Sequence, residues 1–289
     1  MDCTAPRTHE AMRAAQAVAR RHGLSCHKPR VLHDANNVVV HLAPSPVVAK
    51  ICGSARGGGR SKLAAELDVA LHLERWGAPI VEASHELPVQ AYEEGGYAMT
   101  FWRYQAHDLE ATVSDAAAGR ALAEVHRALD TFTASSGSFM DRQVRRAGDV
   151  LANPLSLPAL SQSERSFLHQ AYLALISSVR DRGFEYRLLH GDPHRGNYLA
   201  AQTGCLLIDF ESVCSGPLEW DLSALPGAGS GIFNVDDELL ALLRNLRSLC
   251  VAVWCWSRTQ LSAELESAAH RHLIWLHEHG CSRYSLAAA

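Results

Sequence analysis

Apolar residues recur at helical spacing from residue 10 to 21, EAMRAAQAVARR, and predict a helix that ends near Gly23. The period then shortens. Asn36 and Asn37 mark a turn before VVVHL, Pro44 and Pro46 break the run, and Val47-Val48-Ala49-Lys50-Ile51 resumes it. This β-branched pattern predicts a hairpin. Gly57, Gly58 and Gly59 read as a flexible link into a helix from about Ser61 to Arg75, which Trp76-Gly77-Ala78-Pro79 ends. Two further strands are expected, at Ile80 to Glu86 and Tyr97 to Tyr104, with a turn near Glu93-Glu94-Gly95-Gly96. Beyond Asp108 the helical period dominates, over Ser114 to Leu129, Ser161 to Arg182, Asp236 to Leu261 and Ala263 to His279. Only Arg187 to Leu225 breaks it, with turn residues and short strand-like runs; the Ala-rich tail reads as a frayed end.

These elements form a small α+β unit of about 100 residues followed by a helix-rich one, and 289 residues suit two domains or one large two-lobed one. A net charge of −4, with 20% charged residues, gives no electrostatic reason to expect nucleic acid as a partner. No apolar run in the sequence approaches the roughly 20 residues that span a bilayer, and the N-terminal stretch lacks the apolar core of a secretory signal. No membrane partner and cytoplasmic residence are the default expectations. Eight cysteines occur without a CxxC pair, which argues against a zinc ribbon, a redox motif or a disulfide framework and for buried thiols. Lysine occurs only at Lys28, Lys50 and Lys62, so a lysine within the apolar run VVAKI stands out.

The chemistry concentrates in Leu188-Leu189-His190-Gly191-Asp192-Pro193-His194-Arg195-Gly196-Asn197-Tyr198-Leu199, an apolar strand entering a polar loop. A second apolar run, Cys205 to Ile208, ends in Asp209-Phe210-Glu211. Strands delivering Asp192 and Asp209 at one end, with Asn197 between them, describe a phosphoryl-transfer site: one carboxylate orients an attacking hydroxyl, and the other, with the amide oxygen, holds Mg²⁺. A metal-dependent hydrolase would instead use His190, Asp192 and His194 around one ion with Asp209 as a fourth ligand. That reading leaves Asn197, Lys50 and Glu66 unexplained. The sequence contains neither GxxxxGK[ST] nor GxSxG, which disfavours a P-loop kinase and a serine hydrolase.

The form HGDxHxxN followed by an apolar run and DFE resembles the aminoglycoside phosphotransferase and choline kinase family, more closely than the protein kinases with which it shares the five-residue step from Asp192 to Asn197. The resemblance implies an α+β, two-lobed protein-kinase-like fold, with a nucleotide-binding lobe over 1–102 and a catalytic and acceptor-binding lobe over 103–289. It implies Asp192 as catalytic base, Asn197 and Asp209 as Mg²⁺ ligands, His190 and His194 as loop supports, and Asp221 as a brace of the catalytic loop. It further implies a nucleotide-anchoring lysine paired with a helix glutamate. Lys50 and Glu66 fit, Glu66 lying on the inward face with Leu63, Leu67 and Ala70, while Glu74 falls near the helix end. The phosphate-covering loop, His33-Asp34-Ala35-Asn36-Asn37-Val38, lacks GxGxxG and would offer backbone N–H groups instead. Phe101 or Trp102 could meet the adenine, although an aromatic pair is routinely core.

The expected activity is therefore transfer of the γ-phosphoryl group of ATP or GTP, with Mg²⁺, to a hydroxyl of a small molecule. An aminoglycoside or related hydroxylated antibiotic leads, and choline, a sugar or another metabolite follows. A pseudokinase is disfavoured, because a chain released from catalysis needs no full set of Lys50, Asp192, Asn197 and Asp209. Six carboxylates between Glu211 and Leu243, with no Lys or Arg, slightly favour a cationic acceptor. Trp254, Trp256 and Trp275 could stack on a ring but read as an apolar core stripe. His270, His272, His277 and His279 read as solvated or capping residues.

Overall fold

A computed structural model describes residues 6–52, 59–107, 111–133, 137–225, 227–258 and 263–279. The chain opens with helix α1 (Pro6–Arg21) and strands β1 (Arg30–Asp34), β2 (Asn37–His41) and β3 (Val47–Cys52). Helix α2 (Gly59–Arg75), strands β4 (Tyr92–Glu94) and β5 (Tyr97–Arg103) and helix α3 (Asp115–Leu129) follow. Helices α4 (Gln143–Ala152) and α5 (Gln162–Arg182) lead to four short strands, β6 (Arg187–Leu189), β7 (Tyr198–Ala201), β8 (Gly204–Leu207) and β9 (Cys214–Gly216). Helices α6 (Leu218–Leu222), α7 (Asp237–Trp256) and α8 (Ala263–Glu278) complete the order.

The chain forms two compact units, one of Met1–Phe132 with Gly196–Ser212, the other of Thr133–Arg195 with Val213–Ala289. The first sheet ends at Arg103, next to the lobe boundary expected at residue 102.

In the first unit an antiparallel sheet runs in the order β1-β2-β3-β5-β4. Alternation along β3 sends Val47, Ala49 and Ile51 into a core with Val38 and Val40 of β2 and with Ala11, Ala15 and Val18 of α1. Lys50, between them in sequence, projects to the opposite face, where α2 packs. Gly57 and Gly58 lie outside the described residues, and Gly59 begins α2.

The run Ile80 to Glu86 is not a strand, contrary to its pattern. The run divides between two partners: Ile80 and Val81 meet Leu207 of β8, while Glu82 to Ser84 bond to Phe101, Trp102 and Arg103 of β5 beyond the end of β4, so neither pairing extends into a ladder. The missing strand is β4, which includes Glu93 and Glu94; only Gly95 and Gly96, both at positive φ, turn the chain.

The second unit packs α4, α5, α7 and α8 around Leu168, Leu175, Val179, Leu243, Leu246, Leu249, Val253, Leu273 and Leu276. Helix α5 starts at a reciprocal cap, Ser161 with Glu164, and α7 starts on the Asp236 side chain. Helix α7 ends at Trp256, earlier than its pattern suggests, and residues 259–262 lie outside the described part. By length and composition α7 would suffice to cross a membrane, which the sequence reading did not anticipate. Yet it is the central core helix, with two thirds of its apolar window buried.

Candidate active site

In the first unit the register of β3 sets Lys50 opposite Val39 and Thr100, and its ammonium reaches α2. Lys50 Nζ donates to both oxygens of Glu66, at 2.8 and 2.9 Å, to Asp209 Oδ1 at 2.8 Å, and lies 2.7 Å from Glu211 Oε1. Lys50 is 8% exposed and Glu66 2%. Burial alone would pull the lysine pKa down, but Glu66, Asp209 and Glu211 outweigh it and hold the ammonium above its ordinary range. Burial pushes Glu66 up to about 7 against the pull of Lys50, and the other two carboxylates add to the rise. Glu74 pairs with His85 instead, at 3.0 Å.

Asp209 stands at φ 68, a left-handed conformation that aspartate tolerates better than most residues. Its neighbours are held on both sides: Phe210 N–H donates to Glu66 Oε1 at 3.1 Å, and Ile208 N–H to the Asn197 carbonyl at 3.1 Å. Asn197 is thereby set beside the strand that delivers Asp209, and it is buried. Asn37, at the start of β2, donates through Nδ2 to Glu211 Oε1 at 2.6 Å. Carboxylate oxygens of Glu66, Asp209 and Glu211 lie within 4.8 Å of one another. These three carboxylates are an all-oxygen donor set, which suits a hard cation such as Mg²⁺ or Ca²⁺.

Asp192 belongs to the second unit. Strand β6, which leads to it, pairs with β9, while β8, which leads to Asp209, pairs with β7, so the two carboxylates do not come from one sheet. The loop after β6 turns at Gly191, whose φ of 88 a side chain would strain. Asp221 is fully buried at the start of α6 and accepts from His190 N–H and Gly191 N–H, each at 2.8 Å. His190 Nδ1 accepts from Asp192 N–H at 3.3 Å, and His194 N–H donates to the Asp192 carbonyl at 2.9 Å. His190 Nδ1 is thus directed to the loop backbone, and the exposed His194 is bound into the turn by its main chain.

Arg247 of α7 donates to Asp192 Oδ1 at 3.0 Å. The sequence reading passed over this residue, as it did the Asn37–Glu211 bond. The available signal for Arg247 was the one that singled out Lys50, a cation on the apolar face of its element. Phe101 and Trp102 are core residues, the indole of Trp102 donating to Thr100 Oγ1. Trp256 is buried, whereas Trp275 is partly exposed and stacks on His279. His270, His277 and His279 are exposed: His277 stacks on Phe167, His270 meets Trp256 edge-on, and His279 Nδ1 bonds the Trp275 carbonyl at 3.1 Å at the end of α8.

The fold is shared with solved small-molecule kinases. Amicoumacin kinase hAmiN, solved with AMP-PNP, Ca²⁺ and Ami, superposes with a TM-score of 0.68 at 15% identity over 95% of this chain and 96% of that one. A microcompartment-associated aminopropanol kinase gives 0.67 at 16% identity over 93% and 96%. The GDP and kanamycin complex of APH(2")-IIia gives 0.64 at 15% identity over 93% and 98%. No curated protein matches by sequence. The sequence profile of the phosphotransferase enzyme family, however, matches residues 7–244. The chain therefore belongs to the phosphotransferase enzyme family and is a small-molecule phosphotransferase acting on hydroxyl groups.

Proposed function

We propose that the protein transfers the γ-phosphoryl group of ATP or GTP, with Mg²⁺, to a hydroxyl of an aminoglycoside or a related hydroxylated antibiotic. The observation that carries the phosphoryl-transfer chemistry is the buried Lys50 ammonium, held by Glu66 and adjoining Asp209. Lys50 supplies a fixed positive charge for the α- and β-phosphates, and Glu66 sets its reach. Asn197 and Asp209 would hold Mg²⁺, which when bound neutralises charge on the phosphates. Asp192 orients the acceptor hydroxyl and takes its proton, on a loop kept in shape by His190, Gly191 and Asp221.

Five of the six carboxylates between Glu211 and Leu243 are engaged within the protein, which weakens the acidic run as support for a cationic acceptor. Glu211 binds Lys50, Glu219 accepts from Asp236 N–H, and Asp221 binds the loop. Asp236 and Glu238 both bind Arg182. Amino alcohols are the second acceptor class, favoured by the aminopropanol kinase that superposes almost as well as the amicoumacin kinase.

The test is nucleotide turnover with Mg²⁺ across aminoglycosides, other hydroxylated antibiotics, amino alcohols including choline, and simple sugars, with mass spectrometry of the product. A phosphorylated aminoglycoside is the expected result; turnover of amino alcohols or sugars alone would overturn the antibiotic assignment. D192A should lower kcat by about 10²- to 10⁴-fold while nucleotide binding persists. D209N should abolish the Mg²⁺ dependence of nucleotide affinity. A D192A variant with substantial turnover would remove Asp192 from the base role.

A further inference from the structure

Arg247 is 6% exposed, in the middle of the core helix α7. Its planar fork is used on every side. Nε donates to Ser223 Oγ at 2.6 Å, and Nη2 to the carbonyls of Trp220 at 2.8 Å and Gly191 at 3.2 Å. Nη1 donates to Asp192 Oδ1 at 3.0 Å and to Gln143 Oε1 at 3.4 Å. The guanidinium carbon lies 4.0 Å from the centre of the Trp220 ring, whose own N–H donates to the Gly191 carbonyl at 3.0 Å.

The two ends of the Arg247–Asp192 pair differ in their surroundings. The arginine side chain is 7% exposed and the aspartate side chain 32%. A rigid buried donor thus stands behind a carboxylate that faces outward, and the same donor fixes the Gly191 carbonyl one residue earlier. Lysine, with three donors on a flexible stem, cannot make this set of bonds at once.

We propose that Arg247 is a positioning residue for phosphoryl transfer: it fixes the Asp192 carboxylate and the Gly191 peptide in the orientation that meets the acceptor hydroxyl. The proposal rests on Asp192 being the base. A displacement of the base by about 1 Å can cost on the order of 10²-fold in rate. The cost should fall on kcat, since Arg247 has no role in holding nucleotide.

Wild type, R247M, R247K and G216A are compared for kcat, acceptor KM, nucleotide Kd and thermal midpoint. The acceptor is one found to be phosphorylated, or water if nucleotide hydrolysis is the only turnover. G216A controls for stability: a Cβ there would lie 2.7 Å from Phe139 Cδ1, in the same unit, without touching the fork. The expected result is that R247M loses about 10²-fold in kcat with acceptor KM and nucleotide Kd nearly unchanged. R247K should recover part of the loss, and G216A should keep kcat at a lowered midpoint.

Three results would overturn the role. In one, R247M folds and keeps its kcat; in another, the loss appears in acceptor KM alone, making Arg247 a contact of the acceptor. In the third, G216A loses kcat as R247M does at a matched midpoint. If R247M does not fold, R247K decides, since wild-type kcat in that variant overturns the role and a reduced kcat at unchanged nucleotide Kd supports it. A wild type without turnover on any acceptor or on water would overturn the phosphotransfer reading itself, a failure distinct from that of Arg247 alone.

Discussion

Without the ammonium of Lys50, three carboxylates would face one another within 4.8 Å, with Glu66 almost wholly buried. Breaking a buried ion pair by removing one partner costs about 3–5 kcal/mol, because the remaining charge is left uncompensated. K50M should therefore lower the thermal midpoint as well as abolish turnover. Adding E66Q should restore part of the stability and none of the activity, and a double-mutant cycle by denaturant titration checks it. A K50M/E66Q protein less stable than K50M would show that Glu66 does not depend on the lysine. The family resemblance called for such a pair, and the sequence pointed to its members, since Lys50 breaks an apolar strand and Glu66 falls on the inward face of the next helix. The Asn37–Glu211 bond was not legible, because 174 residues separate its ends and neither side chain breaks a local pattern.

Helices were legible at the element scale wherever they carried a cap and a single apolar face, as α5 does between Ser161 and Gly183. The run at Ile80 departs from its pattern because alternation records which side chains want burial, while a ladder needs one continuous neighbour, and this run divides between Leu207 and β5. Helix α8 yields a prediction of its own. His272 shares a 2.7 Å hydrogen bond with Ser248 of α7, and burial, reinforced by the charge of Arg271, holds its pKa below the ordinary 6.5. Below that pH the unfolded chain takes up a proton that the folded chain refuses, so this contribution is present above 6.5 and is lost as pH falls. Thermal midpoints between pH 7.5 and 5 should decline less steeply for H272Q than for wild type. Parallel profiles would show that the α7–α8 contact does not titrate.

At the scale of the whole molecule, neither compact unit is one continuous piece of chain. The first unit needs β7 and β8, whose Leu207 donates its N–H to the Pro79 carbonyl at 2.8 Å and accepts from Val81 N–H at 3.0 Å. It needs Asp209 too, as a partner of Lys50. A fragment of residues 1–132 should accordingly lack a cooperative melt and show no nucleotide-induced rise in midpoint, while the full chain shows both by calorimetry. A fragment that melts cooperatively would mean that the sheet and its three helices suffice. The interleaving also bears on inheritance. Recombination at one point between the genes of two such enzymes would pair the lysine strand of one parent with the β7–β8 hairpin and Asp209 of the other. A chimera that keeps its partners together needs two exchanged segments, 1–132 and 196–212, and the seams of the second fall inside the motif itself, between Arg195 and Gly196, and just after DFE.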